Sequence, residues 1–262
     1  MPTPDDLQAR YLRLTFDLVA YDAFDHLHWG LWRDVPKEPR RFAEAQQAYA
    51  DELVSWVPSE GARVLDVGCG LGGIAKILAD RGHQVTALTP RADHHERLVA
   101  HPTERLDLRL GRFEQVDDGP FDVILFGESF NFFAADVPAT LDRCASLLSP
   151  RGQVLIAELL APETEAALAR SPFTIANERD VTEDVAFTVD ALQALFERYV
   201  RPYRDLQAAA LRAVDRDLAE RVDQALANVP NRAVASLFRG RVAEKEMLDR
   251  ARYLFCSLEP RP

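Results

Sequence analysis

The chain has 262 residues, 47% of them hydrophobic, enough for one large α/β domain with decorations or two small domains. Its formal charge is −11, with 31 basic against 42 acidic residues. No long basic run offsets the acid, so neither nucleic acid nor an anionic membrane is expected as the main partner.

The first six residues, Met1 to Asp6, are acidic and carry no signal-peptide pattern. From Leu7 to Phe24, the residues Tyr11, Leu14, Leu18 and Tyr21 recur at helical spacing and predict a helix. A polar and aromatic stretch, Asp25-His26-Leu27-His28-Trp29-Gly30-Leu31-Trp32, follows. Pro39 to Trp56 predicts a second helix, with Phe42, Tyr49, Leu53 and Trp56 as its apolar face. Residues 1–58 thus read as a helical cap.

Residues 59–160 alternate strands with helices. Strands are predicted at Arg63–Val67, Gln84–Leu88, Leu106–Leu110, Phe121–Phe126 and Gln153–Leu159, and helices at Ile74–Arg81 and Val137–Leu148. Ser149-Pro150-Arg151-Gly152 marks a turn before the last strand. Alternation of this kind implies a doubly wound parallel sheet of Rossmann-like type, with ligands beyond the carboxyl ends of its strands. Residues 161–262 read as a late helical insertion and a closing strand of the same domain. One apolar stripe joins Leu206, Ala210, Leu211, Val214, Leu218, Val222 and Leu226. Asn231 to Arg250 predicts another helix, and Arg252 to Leu258 the closing strand. The charged run Arg212 to Arg221 reads as a solvated helix face.

The cysteines, Cys69, Cys144 and Cys256, lie far apart without metal-like spacing. They suit a reducing cytoplasm and argue against a disulfide frame or a structural zinc. His94 and His95 are adjacent on a predicted helix and point in different directions, so no metal is expected there. No apolar run reaches the length of a bilayer span.

The stretch Val64-Leu65-Asp66-Val67-Gly68-Cys69-Gly70-Leu71-Gly72-Gly73 concentrates the chemistry. A strand ends in an acid, a glycine-rich turn follows, and a helix begins. The glycines allow a tight turn, a close ligand approach to the backbone, and close helix–strand packing. The helix start offers N–H groups to a polar ligand.

This decapeptide resembles motif I of the class I S-adenosylmethionine-dependent methyltransferases. The segment His26 to Trp32 resembles the His-Gly-x-Trp segment of small-molecule members, among them glycine/sarcosine N-methyltransferases and tocopherol-type C-methyltransferases. The resemblance implies S-adenosyl-L-methionine as cofactor and a small-molecule acceptor, with a home in natural-product biosynthesis. It places Gly68, Gly70 and Gly72 along the methionine part, Asp66 beside them, Thr89 facing the ribose and Phe113 flanking adenine. It implies that the segment at Trp29 folds over the cofactor. Trp29 and Trp32 either face a sulfonium by cation–π attraction or anchor the N-terminal helices. His28 and Glu128 are the catalytic candidates, with packing or hydrogen bonding the first role for His26 and His28. Glu128, after the buried strand Phe121–Phe126, either binds substrate, acts as general base or caps a helix.

Two positions depart from the family pattern. Thr89 stands at the end of the second strand, where an acid usually holds the ribose; Asp93 is the nearest carboxylate. Arg112 occupies a place where an acid often accepts the adenine amino group, and a guanidinium cannot accept. These departures keep two alternatives open: the same fold turned to elimination or intramolecular cyclisation, and a partner-binding protein without cofactor.

Overall fold

In the computed structural model, residues 26–58, 61–100, 103–195, 197–198, 201–227 and 248–261 are described. The predicted helices over Leu7–Phe24 and Asn231 to Arg250 lie almost wholly outside them.

The strands follow from their residues. β1 (Arg63–Val67), β2 (Gln84–Thr89), β4 (Phe121–Gly127) and the second half of β5 (Leu148–Leu160) are nearly continuous apolar runs buried on both faces, the pattern expected of a parallel sheet covered on two sides. With β3 (Leu106–Leu110), β6 (Phe173–Asp180) and β7 (Arg252–Pro260) they make one seven-stranded sheet ordered β3-β2-β1-β4-β5-β7-β6. The first five strands run parallel, and β7 runs antiparallel to both of its neighbours.

The period of two sorts the side chains into two cores. Val64, Val123, Leu125, Leu155 and Ala157 face one layer, where they meet Tyr49 and Leu53 of α1 (Phe42–Ser55) and Ile74 and Leu78 of α2 (Gly73–Asp80). Leu65, Ile124, Phe126, Val154 and Ile156 face the other, against Leu141 and Cys144 of α4 (Val137–Leu147). Between them in sequence, α3 (Ala92–Val99) buries His94 and Leu98. A third cluster joins Trp32, Phe42, Ala45 and Ala191, the last on α7 (Phe187–Leu195).

The sequence reading differs from the structure after Leu160. That region is not helical throughout: α5 (Pro162–Ala169) leads into β6, and α6 (Thr182–Val185) follows. β6 escapes detection because it is an edge strand. Its sequence, Phe-Thr-Ile-Ala-Asn-Glu-Arg-Asp, buries little, and an irregularity between Ile175 and Asn177 breaks its alternation. β5 also starts at Leu148, since Leu148 pairs with Phe121 before a register shift; the expected turn at Ser149 to Gly152 lies inside that irregularity. The predicted apolar stripe is split. Asp215 separates α8 (Arg201–Val214) from α9 (Arg216–Ala227) and caps the second, taking the Leu218 N–H at 2.9 Å. Leu206 and Val214 are exposed, at 69% and 87%. No described helix is long and apolar enough to cross a membrane.

Candidate functional site

Parallel strands bring their carboxyl ends to one edge, and the antiparallel β7 brings its beginning there. Val67, Thr89, Gly127 and Leu160 end their strands at that edge, while Tyr253 enters opposite Leu159.

The glycine turn sits at the end of β1. The carbonyl of Leu88 accepts from the N–H groups of both Gly68 (2.9 Å) and Cys69 (3.0 Å), which pins the turn to β2. Gly68, Gly70 and Gly72 have φ of +78°, +55° and +76°, a region glycine enters without strain. Their surroundings differ. A Cβ on Gly68 would lie 2.7 Å from Ser129 Cβ, and one on Gly72 2.6 Å from Leu98 Cδ2; on Gly70 the nearest atom would be Leu27 Cδ1 at 3.5 Å. Gly68 and Gly72 thus permit packing between elements, while a Cβ on Gly70 would make only ordinary contact with the Leu27 side chain. Ser129 holds the same seam by donating to the Val67 carbonyl at 2.5 Å.

Asp66, on β1 beneath the turn, is 2% exposed, and its Oδ2 has no hydrogen-bond partner among the described residues. Burial pushes its pKa up to about 7. A buried carboxylate oxygen without a donor among the described residues, beneath the glycine turn, fits an amino group such as the one on S-adenosylmethionine.

Glu128 follows β4 with φ +57°, left-handed backbone for a residue with a Cβ. Its N–H donates to the Ala157 carbonyl at 2.9 Å. Its side-chain Oε1 accepts two hydrogen bonds, from the Trp29 N–H at 2.6 Å and the Tyr253 hydroxyl at 2.5 Å. Tyr49 lies behind, its hydroxyl 2.9 Å from that of Tyr253 and 3.3 Å from the Ala157 carbonyl. Glu158 of β5 is buried and accepts from the N–H groups of Asn131 (3.2 Å) and Leu159 (3.0 Å). Desolvation first, and then the Glu158 charge, push Glu128 up to about 8; desolvation pushes Glu158 up to about 7.

The segment from His26 to Trp32 is strapped over this edge. Gln46 donates to the carbonyls of His26 (3.1 Å) and His28 (2.7 Å), and the Leu31 N–H reaches the Ala45 carbonyl at 2.8 Å. The His28 ring stacks on Tyr49 with 4.2 Å between centroids. Its Nδ1 is 2.8 Å from the Trp29 carbonyl, and its buried Nε2 has no described partner. Burial, reinforced by His26, lowers its pKa to about 3, so the ring is neutral at physiological pH.

The predicted residues are therefore gathered unevenly. Asp66, Gly70, Glu128, His28 and Trp29 lie around one edge. Thr89 ends β2 nearby, but it is 2% exposed and its hydroxyl already accepts the Arg91 N–H at 3.2 Å. Phe113 is 3% exposed and packs edge-on against Phe126 and Phe133 in the core. Trp32 is a core anchor at 1% exposure, bonded to Thr188 through its indole N–H at 2.9 Å. The structure also brings Tyr49, Glu158 and Tyr253 to this edge, none of them among the expected site residues. For Glu158 a signal was present, a lone acid inside Val154-Leu155-Ile156-Ala157-Glu158-Leu159-Leu160.

A family model described as a methyltransferase domain matches residues 33–199. The chain belongs to that family. The chain is 37% identical over 115 residues to a ubiquinone biosynthesis O-methyltransferase of Xylella fastidiosa, an alignment covering 42% of this chain and 46% of the relative. The chain thus spans about half the length of the curated relatives it matches. In fold, it resembles a cyclopropane synthase of Mycobacterium tuberculosis (TM-score 0.68, 16% identity, 98% of each chain). It equally resembles the cyclase SpnF (TM-score 0.68, 18% identity, 98% of this chain and 97% of the other). At such identities the likeness is one of fold alone.

Proposed function

We propose that this methyltransferase domain transfers a methyl group from S-adenosyl-L-methionine to a small-molecule acceptor, with Glu128 as general base. The observation that carries the reading is the pairing of a left-handed glycine turn at Gly70 and a buried carboxylate at Asp66, whose Oδ2 has no partner among the described residues, with a held carboxyl at Glu128 on the same sheet edge. Asp66 would take the amino group and Gly70 would let the ligand approach the backbone. Thr89 would face the ribose. The cofactor, when bound, supplies an electrophilic methyl group on a sulfonium.

The chain's own part is positioning, exclusion of water and proton removal. Trp29 and His28 close the edge, and neutral His28 orients the Trp29 peptide through its Nδ1. Glu128 keeps part of its surface accessible, so it can take a proton from an acceptor that must lose one. The partner is a small molecule, and natural-product biosynthesis is the setting we favour. The free thiols Cys144 and Cys256, both buried, fit a reducing cytoplasm.

Calorimetry with S-adenosylmethionine and S-adenosylhomocysteine tests the reading. The wild type should bind both, and Gly70→Val should weaken both by placing a side chain where the ligand meets the backbone. No binding to the wild type at millimolar concentration would overturn it.

A further inference from the structure

Glu128 is held by one oxygen only. Oε1 receives the Trp29 N–H from the strap and the Tyr253 O–H from β7, at 2.6 and 2.5 Å. Among the described residues no donor reaches Oε2. A carboxyl oxygen has two in-plane lone pairs, and on Oε1 both are occupied. When Glu128 binds a proton, the proton therefore belongs on Oε2.

Counting donors also fixes the direction of the chain behind it. As a carboxylate Glu128 has no hydrogen on Oε1, so at 2.5 Å the Tyr253 hydroxyl spends its single proton there, beside the Trp29 N–H at 2.6 Å. Its oxygen can then only accept from Tyr49, 2.9 Å away. Tyr49 has a second acceptor in the Ala157 carbonyl at 3.3 Å, and the shorter contact to Tyr253 sets the order Tyr49 to Tyr253 to Glu128. Both rings are 1% exposed or less and are edge-packed on each other, so neither hydroxyl can turn to solvent. The left-handed backbone at Glu128, φ +57°, sets the carboxyl toward this chain.

We propose that Tyr253, backed by Tyr49, is a positioning residue that saturates Oε1 of Glu128 and confines proton exchange with the acceptor to Oε2. This rests on the reading of Glu128 as the base. One oxygen is structural and the other works. The proton passes from the acceptor to Oε2 as the acceptor's lone pair is freed, and Tyr253 keeps its own proton throughout. The groups facing Glu128 agree with that division. Glu158 on β5 disfavours a second negative charge, and His28 in the strap is neutral, so the Tyr253 and Trp29 donors are what stabilise the carboxylate. Burial and the Glu128 charge hold Tyr253 well above the usual phenol range, which keeps its hydroxyl a donor.

Infrared difference spectroscopy of the protonated carboxyl stretch, across a pH titration of the free protein, tests this without any acceptor. Glu128→Gln identifies the band by its loss, and Glu158→Gln separates the neighbour. In Tyr253→Phe, which keeps the ring, the C=O on Oε1 loses one of two donors. Its stretch should move to higher wavenumber, and Glu128 should hold its proton about tenfold more tightly, the scale of one charge-assisted hydrogen bond partly replaced by water. Tyr49→Phe should move both readouts the same way by less, and it stands in if Tyr253→Phe does not fold. An unchanged band and titration in both tyrosine variants would overturn the proposal. The band does not depend on cofactor binding, so this failure is distinct from a failure to bind S-adenosylhomocysteine.

Discussion

The three glycines of the turn share a backbone conformation and differ in what surrounds them, so the same substitution should cost different amounts. Gly68→Ala places a Cβ 2.7 Å from Ser129 Cβ, at φ +78°. The left-handed conformation costs about 1–2 kcal/mol for a residue with a Cβ, and forcing a methyl into a packed seam about 1–3 kcal/mol more. The sum of roughly 2–5 kcal/mol corresponds to a melting temperature lowered by roughly 5–15 °C in a chain of this size. Gly70→Ala meets nothing closer than 3.5 Å, so only the conformational part, about 1–2 kcal/mol, should appear. Ser129→Gly removes the atom that Gly68→Ala strikes, at the expense of the hydrogen bond to the Val67 carbonyl. The double variant should therefore lose less than the sum of the two single losses, by about 1 kcal/mol or more. Chemical denaturation and thermal melting of the wild type and these four variants measure this. Equal losses at Gly68 and Gly70, or strict additivity with Ser129→Gly, would refute the assignment of Gly68 to packing.

Other outcomes follow from the same geometry. Glu128→Gln keeps an acceptor for Trp29 and Tyr253, so at about pH 5, where Glu128 is protonated, melting should change little, while turnover falls about 10²-fold or more. Stability should fall as pH rises from about 5 to 8: a carboxyl whose folded pKa, about 8 for Glu128, exceeds its unfolded value of 4.5 binds more protons folded than unfolded across that window. Melting curves of Glu128→Gln should be flatter there; an unaltered slope would place the titration elsewhere. Thr188→Val leaves the Gly30 N–H (3.0 Å) and Trp32 indole N–H (2.9 Å) without their shared acceptor, and should destabilise by about 2–5 kcal/mol on urea titration. Thr89→Asp buries a carboxylate in the free protein yet offers the ribose hydroxyls a better partner. S-adenosylhomocysteine should therefore raise its melting temperature more than it raises that of the wild type.

The parts of the fold legible in the sequence are those built from local regularity. β1 to β4 and the glycine turn carry apolar runs and special backbone positions that few other structures tolerate. β6 was illegible because an edge strand with Asn177, Glu178, Arg179 and Asp180 along it has no apolar period to read. At the site, Asp66 and Glu128 stood out because an acid beside an apolar strand costs free energy unless it is used or paired. Tyr49 and Tyr253 did not stand out. Each reads correctly as a core aromatic of its own element, and only the crossing of α1 over β7 shows that two core rings end in touching hydroxyls. Phe113 shows the reverse. Its position suggested a ligand contact, while Phe126 and Phe133, distant in sequence, enclose it.

The place of β7 in the sheet has a consequence for how the protein is made. Among the described strands β6 pairs only with β7, and β7 fills the gap between β6 and β5. A growing chain that has emerged as far as β5 already owns the glycine turn, Asp66 and Glu128, yet the sheet has an open seam where Tyr253 belongs. The last strand in sequence must slide between two that preceded it, and only then does the carboxylate gain its hydroxyl. If Glu128 is the base proposed above, its hydroxyl partner is thus withheld until the sheet closes.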